Sequence, residues 1–296
     1  MLDQTLLLQS AKRKKNSPVL FDLIAQVRFA RLWWRFKGYT PRAVTIGTLR
    51  DWLKQYDKAD RDNILHVLEG VDYLTERDVK KALVSQNEAL LRELRAANVP
   101  FKNIIFVSID AAGSSSAVML HLLRDACHLE RRGCTLLDSQ NILGISKAST
   151  EINQGAIVYV DDFCATGTQI CKSRDFVAEN LIGTFAEFFV VACICEEAIY
   201  KLGERNVEAR AGYIHSKAER PLHEQGAILD AAVKNKLRDL CMRADRKGGL
   251  GFEALATNIV LYRNSPNTTP ALIRGTKGQK VLGVFPRTDD LPVPDL

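Results

Sequence analysis

The sequence predicts an α/β protein in which a doubly wound, mainly parallel sheet follows a helical front. Three observations carry that reading. After Pro100, compact β-branched runs alternate with helical patterns, the rhythm of βαβ units. Two of those runs end in acids followed by turns of small residues, at the strand ends where open sheets bind ligands. Before that point, apolar residues fall at helical spacing in short segments joined by tight turns.

Composition sets the outer bounds. A chain of 296 residues suits one large domain, or an ordinary domain with a small one. Its 46% hydrophobic and 26% charged residues are those of a soluble globular protein. FFVVACIC is far short of the roughly 18 apolar residues a membrane span needs, so no membrane partner is expected. The apolar LLLQ precedes the basic KRKK, the reverse of signal-peptide order, which points to a cytoplasmic location. The seven cysteines show no metal-ligand pairing and read as free, reduced thiols, Cys193 and Cys195 sharing one strand face. Charge is uneven: residues 1–85 hold 16 Lys and Arg against 10 Asp and Glu, whereas residues 86–296 hold 25 of each. That asymmetry suggests two units with different partners, at 1–95 and 96–296.

The front opens with AKRKKNSP, a basic arm that reads either as a solvated terminus or as a phosphate-seeking one. VLFDLIAQVRFARLWWRFK is helical, with Arg28, Arg31 and Arg35 between its apolar positions, and GYTP ends it. TIGTLRDWLKQY, ADRDNILHVLEG and LTERDVKKALVSQNEALLRELRAA each open near a Thr or Asp, and Thr75 with Asp78 makes a capping box. These helices suit a helix-turn-helix or winged-helix unit, and equally a plain bundle packed on the next domain.

In the second part NIIFVSI, AIVYV, FAEFFVVACIC and ARAGYI read as strands. SAVMLHLLRDACHLERRG, TQICKSRDFVAENLIG, EEAIYKLGER and AILDAAVKNKLRDLCMRAD read as helices. DSQNILGISKASTEINQ, residues 138–154, reads as a loop, and the tail from Arg263 as loops with one short strand. No internal repeat or low-complexity tract is visible.

Two strand ends carry chemistry. VSIDAAGSSSAV sets Asp110, Ala111, Ala112, Gly113 and Ser114 at the opening of a helix. Small residues let the backbone approach an oxyanion, and the free N–H groups of a helix start favour negative charge. IVYVDDFCATGTQ repeats the form, with Asp161 and Asp162 ahead of Ala165, Thr166, Gly167, Thr168 and Gln169. A phosphate cradle beside paired acids suits a sugar phosphate. The turn would hold the phosphate, and Asp161 and Asp162 would accept from ribose hydroxyls and hold Mg²⁺ through water. No Gly-Lys-Ser/Thr follows either strand and no spaced glycines occur, so neither a Walker loop nor a dinucleotide fingerprint is present.

At these residues the chain resembles the type I phosphoribosyltransferases, whose signature is four apolar residues, two acids, a short small or apolar stretch, then Thr-Gly and a small or hydroxyl residue. The resemblance implies that fold, with Asp161 and Asp162 as the catalytic, ribose-binding acids. It implies a 5′-phosphate loop at Ala165 to Gln169 and a pyrophosphate loop at Ala111 to Ser114 behind Asp110. It also implies Mg²⁺ as cofactor and displacement at the anomeric carbon of phosphoribosyl pyrophosphate through an oxocarbenium-like transition state. A mobile loop closes over the substrate in the family. Residues 138–154 are placed for it, and Lys147, their only cation, either meets pyrophosphate or is a solvated loop lysine. One departure bears on phosphate affinity and turnover: many members have Thr-Gly-Gly-Thr or Thr-Gly-Lys-Thr where this chain has Thr166-Gly167-Thr168-Gln169. Glu196 and Glu197 either line the acceptor side or simply start a helix, and His215 and His223 receive no role.

LRDWLKQYDKADRDNILHVLEGVDYLTERDV, DDFCATGTQ and the tail RNSPNTTPALIRG together resemble the phosphoribosyltransferase-like effectors of bacterial conflict and anti-phage systems. Some of these accompany a retron reverse transcriptase and its multicopy DNA. The resemblance implies an effector enzyme that consumes phosphoribosyl pyrophosphate or a nucleotide, or transfers a ribosyl group. The basic front would then dock on nucleic acid or a nucleoprotein complex, and a homo-oligomer is allowed. The alternative is a regulator that senses phosphoribosyl pyrophosphate without catalysis and binds DNA through its front.

Overall fold

The computed structural model describes residues 18–110, 114–276 and 281–291, with the side chains of the first helix described from residue 26. The basic arm before Pro18 lies outside the described residues, as do Ala111, Ala112 and Gly113.

The front consists of α1 (Pro18–Phe36), α2 (Ile46–Lys54), α3 (Arg61–Glu69), the short strand β1 (Asp72–Leu74) and α4 (Glu76–Ala96). The caps are where the sequence places them. Thr75 accepts from the Asp78 N–H while Asp78 accepts from that of Thr75, and Thr45 with Thr48 repeats the device on α2. Phe36, Leu49, Trp52, Ile64 and Leu68 form a core that is closed by Leu272, Ile273, Val284 and Phe285 from the other end of the chain. Trp52 is fully buried and its indole N–H donates to the Leu272 carbonyl at 2.8 Å. β1 pairs in parallel with β7 (Ile259–Leu261). Among the described residues the front therefore has no antiparallel wing; it is a small bundle stitched to the tail.

Two of its arginines are bonded within the front. Arg28 grips Glu69 at 2.7 and 2.9 Å and Asp62 at 2.5 Å, and Arg35 donates to the carbonyls of Glu69 and Val71. α4 belongs to a different core, where Val79, Leu83, Leu90 and Leu94 pack on the sheet.

That sheet has five parallel strands: β2 (Ile104–Ser108), β3 (Thr135–Asp138), β4 (Gln154–Cys164), β5 (Thr184–Cys195) and β6 (Val207–His215), in the order β3-β2-β4-β5-β6. With helices on both faces, the central strands are apolar without alternation, and every residue from Ala156 to Val160 is buried. α4 and α5 (Ser115–Ala126) cover one face; α6 (Ile142–Ile152), α7 (Thr168–Ala178) and α8 (Glu196–Gly203) cover the other. α9 (Ala231–Ala244) joins the front's core through Leu237 and Cys241.

Residues 138–154 correct the sequence reading. Rather than a loop they are mostly α6, which Asn141 starts by accepting from the Gly144 N–H and Asn153 ends at a φ of 56°. Its Ser, Ala and Thr residues blur the apolar period, and only Ile145 and Ser149 are buried within the helix. The edge strand β3 also escapes a sequence reading, because its four residues are only half-buried.

Candidate active site

The chain leaves β2 toward β3 on one side, and later leaves β4 toward β5 on the other. The gap above β2 and β4 is therefore the sheet's topological switch point, where open α/β sheets hold ligands. β2 makes its last pairing between Ser108 and Val160. β4 runs on beside β5 as far as Cys164 opposite Ile194. Asp161 and Asp162 thus lie within β4, on the edge that β2 has vacated, and not at the strand's end as the sequence suggested.

Adjacent strand residues normally point to opposite faces. Here the alternation shifts by one: Val160 and Phe163 enter the same core, and Tyr159 and Cys164 the other. The shift lets both acids line one cavity of about 640 Å³. Asp161 Oδ1 accepts from the Asp162 N–H at 2.9 Å and from the Ser115 hydroxyl at 3.3 Å. Burial, and then the neighbouring Asp162, push the Asp161 carboxyl well above the usual carboxylate range. Burial raises Asp162 as well, against the pull of the Arg263 guanidinium. Ser116 clamps the start of α5 across the two strands, accepting from the Ile109 N–H and donating to the Val160 carbonyl, both at 2.6 Å. Ser114 caps α5 by accepting from the Ala117 N–H.

The Ala165–Gly167 turn leads from β4 into α7. Gly167 sits at φ 73°, a backbone conformation that favours glycine, and a Cβ there would crowd the Ala198 backbone at 3.3 Å. The Thr168 N–H and hydroxyl both meet Thr166 Oγ1, at 3.3 and 3.0 Å. Lys201, from α8, donates to Thr168 Oγ1 at 2.8 Å. The turn and Gln169 line a second cavity of about 300 Å³, closed by Lys172, Phe252, Asn267 and Thr268. The Gln169 side chain is engaged outside the turn. Its amide crosses the crevice and donates to Asp110 Oδ2 at 2.6 Å.

The third wall comes from the tail. Arg263, Asn264 and Asn267 of the RNSPN stretch, with Arg287 and Asp289, face the acids across the larger cavity. Asn264 Oδ1 accepts from the Ser265 and Thr288 N–H groups at 3.0 and 3.4 Å, holding the two stretches together. Lys172 and Lys201 were not singled out from the sequence, and Arg263 and Asn267 stand in the RNSPN stretch that carries the resemblance but received no site role there. Nothing local distinguishes them, and only the return of the tail over the sheet brings them in.

Other candidates lie elsewhere. Lys147 is exposed on α6 and lines neither cavity. Glu197 accepts two hydrogen bonds, each 2.7 Å, from Arg220, which is wholly buried and also donates to the His215 carbonyl. Both residues act as structural joints. His223 accepts from the Gln225 N–H within its own turn.

The donor set suits Mg²⁺. Asp110, Asp161 and Asp162 are hard oxygen donors on one cavity. Among the described residues no three acidic, His or Cys groups converge on a common point. An ion here would take one or two carboxylates and complete its shell with water and substrate oxygens, as Mg²⁺ prefers.

No curated protein and no solved structure matches the chain. A family model, PRTase-CE, matches residues 49–287, a span that takes in the whole sheet, Asp161 and Asp162, the 165–169 turn and Arg263. With its type I phosphoribosyltransferase-like fold, the chain belongs to the phosphoribosyltransferase-like PRTase-CE family.

Proposed function

We propose that the protein is a phosphoribosyltransferase-like effector of a bacterial anti-phage system, binding phosphoribosyl pyrophosphate or a nucleotide with Mg²⁺. The observation that carries this is the pair Asp161–Asp162 on the vacated edge of β4, between the 165–169 turn and the start of α5. The 165–169 turn, with Lys201, takes the 5′-phosphate. Asp161 and Asp162 accept from the ribose hydroxyls, and the start of α5 faces the diphosphate. The bond from the anomeric carbon to the diphosphate oxygen breaks, its electron pair leaving with the diphosphate. The acceptor, or water, supplies a new pair to that carbon and gives up a proton. Mg²⁺, held by Asp161 and Asp162, would neutralise the departing diphosphate. The partly positive sugar in the transition state is favoured by nearby carboxylates.

No helix among the described residues is long and apolar enough to cross a membrane, which supports a cytoplasmic site of action. A nucleic acid or nucleoprotein partner is assigned to the outer side of α1, where Arg31 and Trp34 are exposed. The regulator reading is weakened because Arg28 and Arg35 are engaged internally.

Titration calorimetry with phosphoribosyl pyrophosphate, with and without Mg²⁺, followed by product analysis, tests the proposal. Binding that needs Mg²⁺ and vanishes in Asp161→Asn/Asp162→Asn is expected, together with release of diphosphate. Equal phage protection by that double variant and the native chain would sink the enzymatic reading.

A further inference from the structure

The larger cavity contains a cation that neither strand-end turn supplies and that no described residue pairs with. Of the two arginines on the tail wall, Arg287 is occupied: its Nη1 donates to the Ser265 carbonyl at 2.8 Å and its Nη2 lies 3.5 Å from Asp289. Arg263 is not. Its Nη1 is buried without a hydrogen-bond partner, and among the described residues no ion pair holds it. It pulls down the carboxyl of Asp162, which lines the same cavity.

Arg263 is half-buried, and a buried guanidinium N–H left unsatisfied is costly and calls for an explanation. Its backbone is also firmly set. Leu261 and Arg263 line this cavity, whereas Tyr262 between them lines a separate recess beside Tyr73. The Tyr262 N–H donates to the Leu74 carbonyl, and its own carbonyl accepts from the Thr40 N–H, both at 2.8 Å. The residue before Arg263 is therefore bonded to the front through both its N–H and its carbonyl, which fixes the backbone from which the side chain reaches the cavity.

Charge decides what it awaits. Asp110, Asp161 and Asp162 line the same cavity. A polyanionic ligand there needs a cation on the far side, and Lys172 and Lys201 stand instead at the 165–169 turn. We infer that Arg263 is an anion hook, binding phosphate oxygens on the face of the ligand remote from its 5′-phosphate. This rests on the sugar-phosphate reading above and names the residue that selects the second charged group. A planar fork suits two oxygens of one phosphate, which a lysine meets only as a point charge. The same chemistry serves a departing diphosphate or a phosphate carried by the acceptor.

Calorimetry on the full chain separates these. The probes are ribose 5-phosphate, inorganic pyrophosphate, and AMP added after ribose 5-phosphate has saturated the 165–169 turn. Arg263→Gln is expected to lose at least about tenfold in affinity for pyrophosphate or for AMP, and less than about twofold for ribose 5-phosphate. Arg263→Lys should fall between the two. Loss on pyrophosphate assigns the hook to the leaving group, and loss on AMP alone assigns it to the acceptor. Unchanged binding of both anions in either variant overturns the inference, as does an equal loss on ribose 5-phosphate or a native chain that binds neither anion. Should Arg263→Gln fail to fold, Arg263→Lys alone decides the matter. A native chain that holds pyrophosphate through Arg263 but ignores phosphoribosyl pyrophosphate would sink the sugar-phosphate reading and leave the hook standing.

Discussion

The Gln169 amide donates to the Asp110 carboxylate at 2.6 Å, and this bond spans the crevice between the ends of β2 and β4. At the position where many phosphoribosyltransferases carry a hydroxyl for the 5′-phosphate, this chain has a strut that orients an acid. Replacing the donor by an acid sets two carboxylates against each other and adds a negative charge to a site for anions. Gln169→Glu is therefore expected to weaken phosphoribosyl pyrophosphate by about tenfold, or about 1.4 kcal/mol. Gln169→Thr, which restores the hydroxyl, should bind at least as well as the native chain. Calorimetric dissociation constants check both, and native affinity in Gln169→Glu would make the strut incidental.

Asp161 makes a prediction about stability as well as binding. Burial, then Asp162, raises its folded pKa well above the ordinary 3.8. A carboxyl shifted upward stabilises the fold below its unfolded pKa, and that contribution is lost as pH rises through the folded value. In the ligand-free protein this one contribution should therefore fall as pH rises from about 4, and Asp161→Asn should remove it from the difference between variant and native chain. The variant is expected to melt above the native protein near neutral pH, with the gap closing in acid, while losing its affinity for phosphoribosyl pyrophosphate. This is the usual trade between stability and function at a built site. Thermal melts across pH decide it; a variant that melts lower near neutrality would contradict the argument.

How much of this was legible beforehand depended on how local each signal was. AIVYV announced β4 because burial on both faces leaves a continuous apolar run, and Thr75 with Asp78 announced α4 because a capping box spans only four residues. Asp161 and Asp162 stood out because acids rarely follow such a run directly. α6 was missed because Ser146, Ala148 and Thr150 carry little helical pattern, and β3 because an edge strand buries little. The roles of Trp52 and Arg263 were invisible, since each depends on a partner some 100 or more residues away in the chain: Leu272 for one, Asp162 for the other.

The cation bonded to the 165–169 turn is Lys201, while Lys147, which the sequence sets against pyrophosphate or in solvent, lies elsewhere. Lys201 donates to Thr168 Oγ1 at 2.8 Å, whereas Lys147 is exposed on α6 and lines neither cavity. Lys201→Ala should weaken ribose 5-phosphate by about tenfold, the scale of one charge-assisted hydrogen bond, and Lys147→Ala by less than about twofold. Calorimetry with ribose 5-phosphate separates the two. A larger effect at Lys147 would return residues 138–154 to the role of a closing segment.

His215 gives the fold an acid limit. It ends β6, is 3% exposed, and accepts from the Asn258 N–H through Nε2 at 3.2 Å. Burial, and then the neighbouring Arg220, lower its pKa from 6.5 to about 4, against the opposing pull of Glu219 and Glu197. The fold thus requires the neutral ring, because a proton on Nε2 would set two N–H groups face to face. A histidine with a lowered folded pKa contributes stability that is present above its unfolded pKa and lost as pH falls toward the folded one. From about pH 6.5 to about pH 4 the native protein should lose about 3 kcal/mol on this account. His215→Gln keeps an acceptor and removes the titration. It should be less stable than the native chain near neutrality and flatter with pH, so that the two urea-midpoint curves converge in acid. Carboxylates titrate in the same window, but they are common to both proteins and cancel in the difference. Parallel curves would show that the acid limit lies elsewhere.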